Sequence, residues 1–306
     1  MGTCRRLPYA FWAIIVGVVL VALPTQAEMV IDGGSPQTNH RFRNDPTYIA
    51  GAYDLSGVAR NNGSHTWATL VSRNVFLTSR HVDLDIGDEF PFLLDNDPDG
   101  TQYLATVDSF QRISGTDLRL GVFEDPLPSS IALYDYATES IDTQTDAQNS
   151  PYWQENAFMF GLAGRFYPDD QSGEPRTTDM ATGRNVLDRW YPDTSFGGST
   201  ADAWGAIYNS SGDANYIQYE SFLQDHDSAG PMFVDLDGVD GGPLTLTGIN
   251  WLIGTDAGGA DVSVFTYVGN YATEIQDFID NNPVPEPTTA LLFGVGVVLM
   301  WCCRRP

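Results

Sequence analysis

Short stretches of alternating apolar and polar residues fill the middle of the chain, from about Val58 to Val268. In "DLRLGVF", Leu118, Leu120 and Val122 fall on one side of an extended chain, and the residues between them fall on the other side. Clusters of Gly, Asp, Asn and Pro separate these stretches, as turns separate strands. Many such strands in succession predict an all-β domain built as a barrel or a sandwich.

One segment departs from this two-residue period. In "YATEIQDFIDN", the apolar residues Tyr271, Ile275, Phe278 and Ile279 share one face of a helix. The sequence therefore predicts a mostly β domain that closes with a single helix over residues 271–281.

Three polar stretches show no clear period. We interpret residues 28–57 as an N-terminal arm, residues 138–156 as a connection, and residues 165–201 as surface loops. With the connection between them, the domain divides into two halves, roughly 28–140 and 150–270, and the first half includes the arm.

The charge balance limits the partners. The 306-residue chain carries 40 acidic and 15 basic residues, and every basic residue is arginine. We expect no nucleic-acid partner, because phosphate binding requires clustered lysine and arginine. Such an acidic surface repels anionic membranes and polymers and could bind divalent cations.

The first 27 residues are typical of a secretory signal peptide. Arg5 and Arg6 precede a nearly unbroken apolar run from Tyr9 to Leu23, and small residues lead to Ala27. A basic start, a short apolar run and a small-residue cut site occur in this order in exported proteins. We predict export, with cleavage after Ala27.

A second apolar segment closes the chain. "VPEP" at 284–287 precedes an apolar run over 290–303 and the basic pair Arg304 and Arg305. This run of 14 residues is shorter than the roughly 20 that span a bilayer comfortably. It predicts a marginal or processed transmembrane anchor with its arginines on the cytoplasmic side.

These three parts resemble the PEP-CTERM sorting signal of Gram-negative bacteria. The resemblance covers residues 284–306 and implies an exosortase-type membrane protease as a processing partner. It also implies that the protein is extracellular or at the cell surface, with membrane contact only through the terminal segments.

All three cysteines, Cys4, Cys302 and Cys303, lie in the terminal segments. The domain between them therefore has neither a disulfide framework nor a cysteine-based zinc site.

Ser228, in "QDHDSAGPMF", is a candidate nucleophile. The four histidines are His40, His65, His81 and His226, and none follows Ser228. An α/β-hydrolase arrangement is excluded because its histidine follows the serine. An order of histidine, aspartate and serine stays open. An Asp-Ser pair also opens turns, so the motif alone leaves both interpretations open.

Several segments resemble the trypsin-like serine proteases, and they occur in that family's order. "TSRH" resembles the segment that ends in the catalytic histidine, "GTDLRLGVF" the strand with the buried aspartate, and "HDSAGPMF" the turn around the nucleophile. "TGINWLIG" is similar to the strand that lines the specificity pocket, and "SVFTYVGNYATEIQDFI" to the last strand and closing helix. The resemblance implies two six-stranded antiparallel Greek-key β-barrels with a C-terminal helix, in a protease domain over residues 28–283.

The same resemblance assigns the chemistry. His81 would be the general base, Asp117 the carboxylate that orients it, and Ser228 the nucleophile. A serine hydroxyl becomes reactive when an imidazole takes its proton, and a buried carboxylate stabilises the imidazolium. The implied activity is that of a serine endopeptidase, which hydrolyses a protein or peptide substrate through an acyl-enzyme and requires no cofactor.

The oxyanion hole departs from the family pattern. Its two donors would be the N–H groups of Ser228 and His226, and the family has glycine at the position of His226. Histidine adopts a positive φ less freely than glycine. A flipped peptide would remove one donor, at a cost on the order of 100-fold to 1000-fold in rate. The rival interpretation is a weak or inactive protein of this fold that serves as a surface binding or matrix module.

Two further positions concern substrate choice. By the resemblance, Phe222 would form the floor of the specificity pocket and Ser263 part of its wall. A floor without a carboxylate leaves a buried cation unpaired. This favours an apolar or small residue before the scissile bond.

Two acidic loops are candidate calcium sites. "DNDPDG" places Asp95, Asp97 and Asp99 at alternate positions, as in the first half of an EF-hand loop, but Thr106 stands where the bidentate glutamate belongs. The second loop, residues 235–242, is more simply a hairpin turn. A structural calcium ion at the first loop is therefore a hypothesis.

Overall fold

The chain folds into two β-sheets with a closing helix. A computed structural model describes residues 29–41, 46–61, 63–94, 100–167 and 180–284. In chain order the elements are β1 (Met29–Asp32), α1 (Pro36–Asn39), β2 (Val58–Asn61), β3 (Thr66–Leu70), β4 (Val75–Ser79), β5 (Glu89–Leu93), β6 (Gln102–Arg112), β7 (Leu118–Phe123), β8 (Asp135–Tyr136), α2 (Gln144–Asn149), β9 (Asn156–Tyr167), β10 (Met180–Val186), β11 (Arg189–Phe196), β12 (Ser199–Ile207), β13 (Ser221–Phe222), β14 (Pro231–Val234), β15 (Thr245–Thr255), β16 (Asp261–Tyr267) and α3 (Ala272–Asn281). The predicted all-β class is confirmed.

The first sheet is a six-stranded antiparallel barrel. Its strands follow the order β2-β3-β4-β7-β6-β5. The two end strands, β2 and β5, contact each other, so the sheet curls back on itself. This is the first barrel that the sequence predicts.

Strand β7 shows how the alternating pattern builds this barrel. Leu118 and Leu120 pack into a cluster that reaches the second sheet, whereas Phe123 packs inside the barrel. The rings of Phe76 and Phe123 stack with their centroids 4.5 Å apart. A Cβ atom at Gly121 would clash with the Phe76 ring, so only glycine permits this packing. The packing holds β7 firmly, and Asp117 immediately precedes that strand.

The second sheet is larger than the predicted six strands. Six antiparallel strands follow the order β10-β9-β14-β15-β16-β12, and β10 contacts β12. Strand β11 pairs with β12, β8 pairs in parallel with β15, and β1 lies between β9 and β13, which makes ten strands in all. A second barrel-like unit is thus extended by four additional strands.

The interpretation of residues 165–201 as surface loops is wrong for 165–167 and 180–201, and residues 168–179 lie outside the described residues. This stretch contains β10, β11 and the start of β12. Strand β11 contains Pro192, and its pairing with β12 shifts register between Tyr191 and Thr194, so it shows no regular alternation in the sequence.

The N-terminal segment is also more than an arm. Strand β1 pairs in parallel with β9 and antiparallel with β13, and both Met29 and Ile31 are fully buried. Four residues carry too little pattern to predict such pairing with strands so distant in the chain.

The closing helix is confirmed as α3, which follows a 3-10 turn at Gly269–Tyr271. Ile275 is fully buried, and Phe278 and Ile279 pack against the same core cluster. The predicted apolar face therefore covers the core.

The two terminal segments lie outside the described residues. These are residues 1–28, with the predicted signal peptide, and residues 285–306, with most of the predicted sorting segment. Among the residues that are described, none of the helices is long and apolar enough to cross a membrane.

Candidate active site

A cleft of about 230 Å³ brings together residues from both sheets. His81 follows the end of β4 and lines one side, and Ser228 lies in the turn before β14 and also lines the cleft. Strands β4 and β7 are antiparallel neighbours, with Ser79 opposite Leu118. Their adjoining residues His81 and Asp117 are therefore held side by side.

His81 is hydrogen-bonded to a buried carboxylate. Its Nδ1 lies 2.8 Å from Oδ2 of Asp117, whose side chain is only 2% exposed. An ionised carboxylate can only accept hydrogen bonds, so Nδ1 of His81 carries the proton and Nε2 keeps its lone pair. In this tautomer His81 can accept a proton through Nε2.

Ser228 lies in a tight turn that the Asp227 side chain holds in place. Asp227 is fully buried. Its Oδ1 accepts the N–H of Leu162 at 2.6 Å, and its Oδ2 accepts the N–H of Gln224 at 2.8 Å. A Cβ atom at Gly161 would lie 2.6 Å from Oδ1 of Asp227, so the glycine makes room for this carboxylate. The turn is thereby joined to strand β9.

Two non-glycine residues beside Ser228 have left-handed backbones. His226 has a φ of 77° and Ala229 a φ of 70°. A left-handed backbone costs an ordinary residue roughly 1–2 kcal/mol. Among the described residues, nothing accepts a hydrogen bond from the N–H of His226 or of Ser228. Neither N–H is therefore used within the described fold.

The side chains of Ser228 and His81 line one cleft without a direct bond. Within the described ranges, no hydrogen bond joins Ser228 Oγ to His81. Catalytic hydrogen bonds are often long in the absence of substrate and tighten in the substrate complex. Proton transfer from Ser228 to His81 would therefore require a contact that forms only when substrate is bound.

The cleft walls are mainly apolar. The apolar residues that line it come from three segments and are Phe196, Leu223, Trp251, Leu252 and Ile253. Two carboxylates also lie there, but Asp227 already accepts two backbone N–H groups, and Asp225 is exposed to solvent. The cleft thus suits an apolar side chain.

The two predicted pocket residues lie away from the cleft lining. In the described part of the chain, neither Phe222 nor Ser263 is among the lining residues. Phe222 pairs with β1, and its ring centroid is 6.1 Å from that of Tyr208. Ser263 is fully buried, and its Oγ accepts the N–H of Leu223 at 3.0 Å. Leu223, next in the chain after Phe222, contributes to the cleft wall.

Sequence reasoning missed Ser79 and His65. Ser79 Oγ contacts both His81 and Asp117. Ser79 lies two residues before His81 at the end of a strand. Because alternate residues of a strand share a face, this spacing could have indicated that the two side chains lie together. His65 lies beside His226 and beside Arg60, and no local pattern indicates that contact.

The described residues contain no group of three or more His, Cys, Asp or Glu side chains that could hold a metal ion. In the second acidic loop, Asp235 Oδ1 accepts the N–H groups of Asp237 and Gly238, as in an ordinary turn. The first loop, with Asp95, Asp97 and Asp99, lies outside the described residues, so its calcium ion stays a prediction.

The C-terminal residues 283–305 match the PEP-CTERM protein-sorting motif. Such a motif indicates export and surface sorting or anchoring in Gram-negative bacteria, and exosortases recognise it. The protein is therefore exported and sorted to the surface. No curated protein matches the chain.

Proposed function

We propose that the protein is an exported serine endopeptidase of the trypsin-like type. One observation carries this proposal: a single cleft holds His81, bound to the buried Asp117, and Ser228, beside two unused backbone donors. Each part alone is common in proteins without activity. Together in one cleft, these parts can carry out acyl transfer: a base, the carboxylate that orients it, a serine and two N–H donors for an oxyanion.

The proposed reaction begins when Ser228 Oγ attacks the carbonyl carbon of a bound peptide. Nε2 of His81 takes the hydroxyl proton, and the carbonyl electron pair moves to the oxygen, which accepts from the N–H groups of His226 and Ser228. Asp117 stabilises the imidazolium. Collapse of the tetrahedral intermediate breaks the C–N bond, and His81 gives its proton to the departing amine. Water then hydrolyses the acyl-enzyme by the same sequence of transfers.

We propose an apolar residue before the scissile bond. The walls formed by Leu223, Trp251 and Leu252 provide apolar contact area for a substrate side chain. Full burial of one Leu, Ile, Val, Phe or Met side chain of the substrate would contribute roughly 1.5–3 kcal/mol to binding. A lysine or arginine side chain would lose water there without an unoccupied buried carboxylate to pair with.

A second candidate function is a non-catalytic surface binding or matrix protein of this fold. The missing hydrogen bond between Ser228 and His81 in the described structure favours it. Such a protein would bind a peptide segment in the same cleft without cleaving it.

A fluorophosphonate probe separates the two candidates. The endopeptidase is expected to become labelled at Ser228, as located by peptide mapping, and His81→Gln should slow the labelling strongly because the base is lost. Ser228→Ala should abolish labelling, whereas Ser211→Ala, at an exposed serine, should not change it. Folded wild-type protein that fails to react would support the binding protein.

The sorting motif supports a second proposed partner, an exosortase-type protease that cuts near Val284. The mass of the surface protein, measured in cells with and without that protease, tests this step. Loss of the C-terminal residues only when the protease is present is expected.

A further inference from the structure

Ser79 forms a compact triangle with the His81–Asp117 pair. Ser79 is the last residue of strand β4, and its side chain is fully buried. Its Oγ lies 2.7 Å from His81 Nδ1 and 2.5 Å from Asp117 Oδ2, and those two atoms are 2.8 Å apart. Three polar atoms therefore share two protons.

The roles of the three atoms follow from that proton count. The proton between His81 and Asp117 must come from Nδ1, because the carboxylate only accepts. Nδ1 then has no lone pair to accept from the Ser79 hydroxyl, so that hydroxyl donates its proton to Asp117 Oδ2. Two donors thus converge on one carboxylate oxygen. The other oxygen, Oδ1, is buried and has no partner among the described residues.

The backbone keeps Ser79 at this place. Ser79 pairs with Leu118 across β4 and β7, and the N–H of Arg80 donates to the backbone carbonyl of Asp117 at 2.5 Å. The hydroxyl is therefore fixed relative to the Asp117 backbone. If the Ser79 hydroxyl were removed, the Asp117 carboxylate would keep only its hydrogen bond with His81 among the described residues.

We infer that Ser79 is a positioning residue for Asp117, an inference that rests on the proposed function. Its O–H fixes the carboxylate so that Oδ2 faces His81 Nδ1 and holds the Nδ1–H tautomer. Nε2 then stays ready to accept the Ser228 proton. Ser79 acts through Asp117 and touches neither substrate nor nucleophile.

The kinetic test replaces the hydroxyl. Ser79→Ala is expected to lower kcat on the order of tenfold with KM unchanged, since one hydrogen bond to a charged group is lost behind the reacting atoms. Ser79→Thr keeps the hydroxyl and should recover most of the rate. Thr78→Val is the matched control, because Thr78 is the adjacent fully buried residue and its hydroxyl has no partner among the described residues.

A spectroscopic test does not depend on activity. In protein with labelled histidine, the His81 Nδ1 proton, assigned with His81→Gln, should exchange faster with water and shift upfield in Ser79→Ala but not in Thr78→Val. If Ser79→Ala fails to fold, Ser79→Cys, which keeps similar volume with a weak donor, replaces it.

The outcomes are separable. A folded Ser79→Ala protein with unchanged kcat and an unchanged Nδ1 proton would overturn the role of Ser79. If the Nδ1 proton responds while the fluorophosphonate labels nothing in the wild type, Ser79 positions Asp117 and the endopeptidase proposal fails.

Discussion

His65 lies against His226, a residue of the turn that leads to Ser228, and their ring centroids are 5.5 Å apart. His65 Nδ1 is also 2.9 Å from a guanidinium nitrogen of Arg60. Because arginine only donates, Nδ1 of His65 accepts, and neutral His65 carries its proton on Nε2. A protonated His65 would lose this bond and would face the positive charge of Arg60.

The first prediction concerns stability below neutral pH. Burial, then Arg60 and His226, lower the pKa of His65 from its ordinary value of 6.5. Between the folded pKa and 6.5 the unfolded chain binds more protons, so the free energy of unfolding falls as the pH drops through that window. We expect His65→Gln to lose less stability than the wild type between about pH 7.5 and about pH 5.5.

Denaturant titrations at both pH values measure this difference. His226→Gln, which removes the neighbouring imidazole and keeps His65, should fall between the wild type and His65→Gln. The prediction fails if His65→Gln and the wild type lose equal stability.

The second prediction concerns the backbone of His226. At a φ of 77°, glycine is unstrained, whereas a β-branched residue is a genuine outlier. We expect His226→Gly to keep or raise kcat and His226→Val to lower it on the order of 100-fold, because a relaxed peptide turns its N–H away from the oxyanion. Both variants alter the same exposed side chain, so equal kcat values would contradict a role for this φ angle.

The third prediction concerns cleavage preference. Profiling on a peptide library is expected to show apolar residues before the scissile bond, because Leu223, Trp251 and Leu252 line the cleft. Leu252 is only partly buried, so Leu252→Asp can add a carboxylate without burying it and should raise cleavage after lysine and arginine. Leu252→Asn, of similar size and uncharged, is the matched control. Strong cleavage after lysine and arginine by the wild type would refute the apolar assignment.

The fourth prediction concerns the N-terminal strand. Ile31 is fully buried in the main core cluster, so Ile31→Ala should destabilise the protein by about 2–5 kcal/mol in a urea titration. Val30, its half-buried neighbour on β1, provides the control, and Val30→Ala should cost clearly less. A change within about 0.5 kcal/mol for Ile31→Ala would mean that β1 is not part of the stable fold.

The local pattern of the chain predicted the strands near the candidate site well. In β7, the alternation of Leu118, Leu120 and Val122 is a property of neighbouring residues, as is the apolar face of α3. Strand β11 escaped prediction because Pro192 and a register shift between Tyr191 and Thr194 interrupt its alternation. Phe222 lies on a strand that pairs with β1, and that pairing joins residues far apart in the chain, so no local pattern in the sequence indicated it.

The sequence by itself determined the period of elements such as β7 and α3 and the sorting signal at the C-terminus, because these depend on neighbouring residues, and it also determined the chain order of His81, Asp117 and Ser228. Only the tertiary structure decided the φ of His226, the bond from Ser79 to Asp117 and the contact between His65 and His226. Each of these arises where separate strands and turns pack together, and the energy of such contacts depends on distance in space rather than on separation along the chain.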